Sequence, residues 1–470
     1  MISLIVILSF ICLLAGMAIS VYAFGTGGKR AKVFQDIYFS IEDVEGIGIV
    51  YTKSGEYSAI LRIDNPVQKY SADIDSYYSF TTLLNSILQT LGEGYALHKQ
   101  DIFVRKRFHQ SSEDRQGLNV KRRFLSDAYF KFFEGRPYTS SSTYLVITQE
   151  AKKSNFFAYD NSRWRDFRVK IQKVHDQLKD GMVPVEFLGV EEARVYADRF
   201  FALNFKDKRF SMTNFKVDGE GFYMGDRQCK MFSLLDVDSL GLPDVLRPYV
   251  DMTVNHTVMP VDLMGEIDHL PDVDTVVYNQ VIFLPNQVRE KRRLEKKRNN
   301  CSSLPNPSNK QAVEDINKVL DVLARESKQL VYAHYNLIVV MDKNKDMQKC
   351  TNHLENIFSR LGIHISKRAY NQLELFVASF PGNCYRLNHE YDRFLTLGEA
   401  ALCLMYKEHQ TQGDDTPLKC YYTDRQGVPM PIDITGKEGR KQYTNNANFF
   451  VLGPSGSGKS FFMNTVCRQL

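Results

Sequence analysis

The chain has 470 residues, 43% hydrophobic and 24% charged, a balance typical of globular proteins and long enough for roughly two or three cores. Its net charge of +5 carries no nucleic-acid argument, because REKRRLEKKR (Arg289–Arg298), with seven basic and two acidic residues, holds that excess and leaves the rest balanced. The eight cysteines (12, 229, 301, 350, 384, 403, 420 and 467) include no C-x-x-C pair, which argues against a zinc site and a disulfide scaffold and suits a reducing compartment.

The first element predicted is a transmembrane helix. Ile2–Phe24 carries no charge over 23 residues, enough to cross a bilayer core. The rival reading is a secretory signal peptide with Ala18-Ile19-Ser20 at its cleavage site. No Lys or Arg precedes the apolar run, whereas Lys29, Arg30 and Lys32 follow it. Basic residues stay on the cytoplasmic side, so the span is read as a retained anchor with residues 25 onward in the cytoplasm. Gly16 and Ser20 have small-xxx-small spacing, which chance explains as well as helix association. GTGG (Gly25–Gly28) is a flexible exit.

Next come short strands at Ile47–Val50 and Ser58–Ile63, a helix at Tyr77–Leu91 and a strand at Ala96–Lys106. Gln110–Gly117 is a polar loop, Ser142–Thr148 a β-branched strand, and Trp164–Leu178 and Val190–Phe205 are helices. Asp274–Leu284 is a strand, followed by a basic helix ending in the loop NNCSSLPNPSN (Asn299–Asn309). In Gln311–Gly362, Val313, Ile316, Leu320 and Leu323 share a helical face, and Val331, Ala333, Tyr335, Leu337, Val339 and Met341 share one side of a strand. Met347, Cys350, Leu354, Ile357, Phe358 and Leu361 then return to helical spacing, Gly362 stops the helix, and Ile363–Ser366 opens another strand. This unit is similar to half of a ferredoxin-like layer. No internal repeat is visible. A hairpin is expected within Pro417–Ile434, turning at Asp424–Gly427.

The chemistry concentrates at the C-terminal end. Gly453, Gly458, Lys459 and Ser460 fulfil G-x-x-x-x-G-K-[ST], between an apolar strand expected at Asn448–Leu452 and a helix through Phe461, Phe462, Thr465 and Val466. Phosphate oxygens need several donors converging on one point. The amides from about Ser455 to Ser460 can supply them if Gly456 and Gly458 take conformations open to glycine, with the helix adding its positive end. Gly453, Pro454, Ser455, Gly456, Ser457, Gly458, Lys459, Ser460 and Phe461 are therefore the candidate ATP-binding set. Lys459 is placed at the β- and γ-phosphates and Ser460 at Mg²⁺. The alternative is a Gly/Ser surface loop that happens to contain Lys-Ser. The carboxylate that completes such a site normally ends a later strand. None follows before Leu470, so it is expected beyond this sequence, and the chain as given is expected to bind nucleotide at most.

Four stretches resemble the TraG-type conjugative-transposon ATPases, the Vir-type ATPases of type IV secretion. They are HKQDIFVRKRF (His98–Phe108), RRLEKKRNN (Arg292–Asn300), LFVASFPGN (Leu375–Asn383) and ANFFVLGPSGSGKS (Ala447–Ser460), and the likeness runs from about residue 35 to residue 470. It implies an α+β accessory region followed by the start of a RecA-like P-loop domain, an α/β chain overall. It also implies self-association into a ring, contacts with other type IV secretion components, and ATP hydrolysis that powers assembly or DNA transfer. A non-hydrolysing membrane scaffold and a P-loop DNA translocase of FtsK or HerA type are the alternatives. On this reading residues 1–28 are anchor and exit, 35–205 and 206–410 accessory regions, the second with the ferredoxin-like unit, and 415–470 the P-loop start.

Direct DNA contact is left open. The basic helix suits DNA or lipid headgroups, or a solvated face with intrahelical ion pairs through Glu290 and Glu295. Arg105, Lys106 and Arg107 are read as solvent-facing, and Trp164, among Arg163, Arg165 and Arg168, as packing at a helix start. The ten histidines are dispersed, with surface or core roles.

Overall fold

The computed structural model describes residues 38–71, 73–109, 131–151, 161–206, 215–218, 221–234, 247–254, 256–304, 306–326, 328–366, 371–409, 413, 421–423, 429–432, 448 and 450–469. The expected membrane span at residues 2–24, its exit, the loop Gln110–Gly117 and the turn Asp424–Gly427 lie outside them. Among the described residues no helix is long and apolar enough to cross a membrane.

The chain starts with β1 (Ser40–Val44), β2 (Ile47–Tyr51), β3 (Tyr57–Ile63) and β4 (Val67–Gln68). Helix α1 (Ile74–Leu91) leads to β5 (Tyr95–Arg107) and β6 (Pro137–Gln149), then α2 (Asn161–Asp180), β7 (Val185–Phe187) and α3 (Val190–Phe201). The middle holds β8 (Phe215–Asp218), β9 (Gly221–Met224), β10 (Arg227–Ser233), the hairpin β11 (Val250–Val254) and β12 (Thr257–Val261), and β13 (Thr275–Leu284). Helices α4 (Gln287–Ser303) and α5 (Pro307–Arg325) precede β14 (Leu330–Asp342), α6 (Met347–Arg360), α7 (Gln372–Ala378), β15 (Phe394–Leu397), α8 (Gly398–Cys403) and β16 (Glu408–His409). The last elements are β17 (Tyr421–Thr423), β18 (Pro429–Pro431) and α9 (Lys459–Gln469).

Twelve strands join in one antiparallel sheet whose main path runs β1-β2-β3-β6-β5-β13-β14-β10-β9-β8, with β7 on β3 and β15 on β14. Inside it lie two ferredoxin-like units. In the first, β3-α1-β5-β6-α2-β7 gives the spatial order β7-β3-β6-β5, a complete split βαβ arrangement. In the second, β10, β13, β14, α6 and the segment ending at Ser366 repeat that order, because Ser366 bridges Ser233 at the edge of β10. There the first helix position is taken by the β11–β12 hairpin and an irregular stretch whose Leu263, Met264, Ile267 and Leu270 enter the core. The two units meet edge to edge where β5 pairs β13 from Val104–Thr275 to Tyr95–Leu284. The half layer expected at Gln311–Gly362 is thus correct for β14 and α6. It is wrong for α5, which stands in a separate helical hairpin with α4 where only Glu290 and Ile316 are buried.

Both faces of the sheet are covered. Val331, Ala333, Tyr335, Leu337, Val339 and Met341 of β14 all face the core built with α1, α2, α6 and α8. Tyr332, Ile338 and Val340 face the opposite core, with Phe200 of α3 and Phe376 of α7 stacked 4.9 Å apart. A fully buried side chain of this size contributes about 1.5–3 kcal/mol, so two-sided burial makes these strands the stable centre. Helix ends follow local chemistry: Asp73, Asn286, Asn306 and Asp346 cap α1, α4, α5 and α6 with side-chain oxygens. Because Asn306 caps and Pro307 opens the next helix, the loop expected at Asn299–Asn309 is in fact mostly helical. The helix expected to reach Phe205 stops at Phe201, where Leu203 turns to φ 51°.

A polar seam crosses the centre of the sheet. In β5 the consecutive residues His98, Lys99, Gln100 and Asp101 are fully buried. On one face Lys99 Nζ contacts both Asp101 oxygens at 2.7 and 2.6 Å and donates to the Tyr406 carbonyl at 2.8 Å. Asp101 also accepts from Asn65, Thr143 and Gln280 at 2.7–3.0 Å. On the other face Gln100 donates to Asn279 and to the Ser379 carbonyl, Asn279 donates to Asn336, and Asn336 contacts His334. Burial drives the pKa of His98 and of His334 down to about 4, which keeps both rings neutral. Replacing Asp101 by Asn leaves the Lys99 charge buried without its counter-ion. Asp101→Asn is expected to lower the unfolding free energy by about 3–5 kcal/mol, read as a reduced urea midpoint.

Candidate functional site

Gly453–Ser460 forms a tight loop running into α9. Gly456 and Gly458 hold φ of +79° and +86°, the region where a Cβ costs energy and glycine does not. A side chain on Gly453 would lie 2.5 Å from Ser457 Oγ, which shows how closely the loop folds on itself. Lys459 opens the helix and donates from Nζ to the carbonyls of Gly453 and Pro454, both at 2.7 Å, so its ammonium spans the loop. The amides of Lys459 and Ser460 lie in the first helical turn, where no intrahelical acceptor exists. This donor set fits a polyphosphate with a divalent cation: orphan amides, one ammonium beside them, and the hydroxyl of Ser460 at the helix start. Phe450, Val451, Lys459, Ser460, Met463 and Asn464 line an open cavity of 490 Å³ alongside.

The strand expected at Asn448–Leu452 does not form: residues 448 and 450–452 join no ladder. A strand exists only beside a neighbour, and no described strand lies next to this one. Phe450 and Leu452 are 86% and 85% exposed as a result, on the same module as exposed Phe461. The expected hairpin is present in β17–β18, paired from Tyr421–Pro431 to Thr423–Pro429. Tyr422 lies 5.5 Å from Phe462 of α9, while Tyr421 packs with Phe108 and Phe133 beyond the end of β5. These aromatics seat the loop and helix against the large sheet.

Residues 420–470 match the TraG P-loop domain. The match supports a TraG-type P-loop ATPase and covers the hairpin, the loop and α9. Comparison with curated proteins finds no match.

The other sequence candidates are dispersed. Pro381-Gly382-Asn383 forms the turn after α7, far along the chain from the TraG-type loop. Gly382 sits at φ +93° where a Cβ would meet Ser58 Oγ at 3.0 Å, and Asn383 is buried with its side-chain amide unpaired. Trp164 packs among Tyr51, Tyr57 and Phe167. Arg105 and Arg107 are exposed, but Lys106 is half-buried and burial lowers its pKa, so that cluster is only partly solvent-facing. Glu290 is not a solvated partner either. It is buried, accepts from Tyr332 OH at 2.7 Å, and reaches Arg293 at 3.8 Å. No disulfide and no metal-binding cluster occur among the described residues.

Sequence reading missed the buried ionic cluster on the path from sheet to loop. β16 pairs in parallel with β4, and at that joint Glu408 Oε1 accepts from Tyr77 OH and the Asp262 amide, both at 2.7 Å. Asp262 accepts from the Lys407 amide at 2.9 Å, and Lys69 bridges Asp268 at 3.0 Å and Glu408 at 3.9 Å. The only local signal is Lys407-Glu408-His409 following the apolar ALCLMY. Burial, then the nearby Asp262 charge, raises the Glu408 pKa to about 7. A carboxyl with a raised folded pKa contributes stability that is complete below its unfolded value and is lost as pH climbs through 7. Glu408→Gln removes that titration. Denaturant melts of this variant are expected to lose up to about 3 kcal/mol of the wild-type decline between pH 5 and pH 8.

Proposed function

We propose that the chain is a membrane-anchored ATPase of a conjugative type IV secretion system, with residues 453–460 cradling the nucleotide phosphates. The observation that carries this reading is the TraG P-loop match at 420–470 falling on a glycine loop that enters a helix beside Lys459. When bound, Mg·ATP would supply the hydrolysable phosphoanhydride. The chain's own residues have separate tasks. The amides from about Ser455 to Ser460 donate to phosphate oxygens. Lys459 leaves the Gly453 and Pro454 carbonyls to neutralise the β- and γ-phosphates, and Ser460 offers its hydroxyl to Mg²⁺. Gly456 and Gly458 permit the close approach, and Gly453, Pro454, Ser457 and Phe461 complete the loop and the start of the helix. The hydrolysis cycle is assigned to assembly of the transfer apparatus or movement of DNA, in a ring of subunits on the inner membrane, with Ile2–Phe24 as the anchor.

Lys459→Ala is expected to cut Mg·ATP affinity at least tenfold in titration calorimetry, with the circular dichroism spectrum unchanged, and to abolish DNA transfer in cells. Transfer at the wild-type level by that variant overturns the ATP-driven role. Deleting residues 1–28 is expected to move the protein from the membrane to the soluble fraction, and unchanged retention rejects the anchor.

A further inference from the structure

The α4–α5 hairpin meets the sheet through the first turns of α4, and its polarity is one-sided. Gln287, Glu290, Leu294, Glu295, Arg298 and Cys301 are the less exposed positions of α4, and all but Glu295 share one face. On that face Gln287 donates to the Leu330 carbonyl and Glu290 accepts from Tyr332. At helical spacing the opposite face presents Arg289, Arg292, Lys296, Asn299 and Ser303, all exposed, with Val288 and Glu295 at its edge. No ion pair engages Arg289, Arg292, Lys296 or Lys297 among the described residues, so the expected intrahelical neutralisation does not occur on this face.

The sheet register says at which end of the strands this helix begins. Ser40 pairs with Tyr51, Tyr51 with Tyr57, Tyr57 with Gln149, Gln149 with Tyr95 and Tyr95 with Leu284. That row is one end of the sheet. The chain enters there from residues 1–37, and α4 leaves from the same end directly after Leu284. The module carrying the phosphate loop is seated at the other end, where Tyr421 meets Phe108 just past the Arg107–Pro137 pair. Five strand spacings separate β1 from β13, about 24 Å. The thirteen residues 25–37 reach at most about 45 Å. A bilayer holding residues 2–24 therefore lies within reach of the hairpin.

We propose that the outward face of α4 docks on the phosphate headgroups of the anionic membrane that holds residues 2–24, an inference resting on the anchor reading above. Charge and position both favour lipid. Guanidinium and ammonium groups pair with headgroup phosphate, each adding about fivefold to surface affinity, and Val288, exposed at the margin of the face, is its apolar neighbour. The docked hairpin fixes the tilt of the sheet and holds the phosphate loop away from the bilayer.

The test uses the full chain in lipid nanodiscs, with a fluorescent amino acid at Ser303 and a quencher on the lipid headgroups. Quenching is expected with discs containing phosphatidylglycerol and not with phosphatidylcholine alone. It is expected to fall at least fivefold in 0.5 M salt or in the Arg289→Glu, Arg292→Glu, Lys296→Glu triple variant, with an unchanged urea midpoint. Lys291→Glu, on the flank away from this face, is expected to quench like wild type. Equal quenching in both lipids, or no effect of the triple variant, overturns the proposal. So does duplex DNA that binds through the same three residues and displaces the hairpin from anionic discs. Carbonate extraction separates the two readings. If the wild-type chain washes out, the anchor reading falls, and flotation on phosphatidylglycerol vesicles that depends on the triple site still decides the hairpin.

Discussion

The Lys99–Asp101 pair lies at the middle of the sheet, fully buried, and the arrangement around it depends on its being matched. Two charges in a low-dielectric interior cost several kcal/mol each unless every remaining donor and acceptor is used. Here they are used. Asn65, Thr143, Gln280 and the Tyr406 carbonyl come from four different segments and converge on the pair. A slip of one residue between β5 and β13 would turn Lys99 and Asp101 to the opposite face and separate them from all four. Hydrophobic burial holds the sheet together, and the polar seam fixes the register in which its two ferredoxin-like units join.

The strands of the joined sheet share two ends. One end gathers the start of β1 and the α4–α5 hairpin. The opposite end carries the aromatic seat for the phosphate-loop module. Between them, the cluster of Lys69, Asp262, Asp268, Lys407 and Glu408 holds the strip that leaves the sheet on its way to that module. Burial first, and then the charge of Asp262, raise the Glu408 pKa to about 7. The strip is therefore tied to the sheet by ionic and hydrogen-bonding contacts, and the two-residue β16–β4 pairing adds only a short ladder.

Elements whose signal is local were legible in the sequence. The period-two pattern of β14 and the helical spacing of α6 each concern neighbours along the chain. The P-loop is of the same kind, since its glycines, Lys459 and the helix start lie within a few residues of one another. What the sequence did not disclose were associations. The amphipathic stripe of α5 marks a face to be covered without saying by what, and α4 rather than the sheet covers it. The four polar residues His98–Asp101 read as an interruption in an apolar strand, because their partners lie up to 307 positions away. The apolar run at 450–452 has strand composition, yet no ladder partner is available to it.

By itself the sequence determined the phosphate-binding loop, the periodicities of strand and helix and the polarity of the basic run, because each follows from the conformational and charge preferences of adjacent residues. Only the tertiary structure decided that β5 would pair with β13, that the basic run would stand on a projecting hairpin at the chain-entry end, and that Glu408 would be buried beside Asp262. These depend on the pairing of distant segments, where the free energy of burial and of satisfying buried charge is settled by the whole sheet at once.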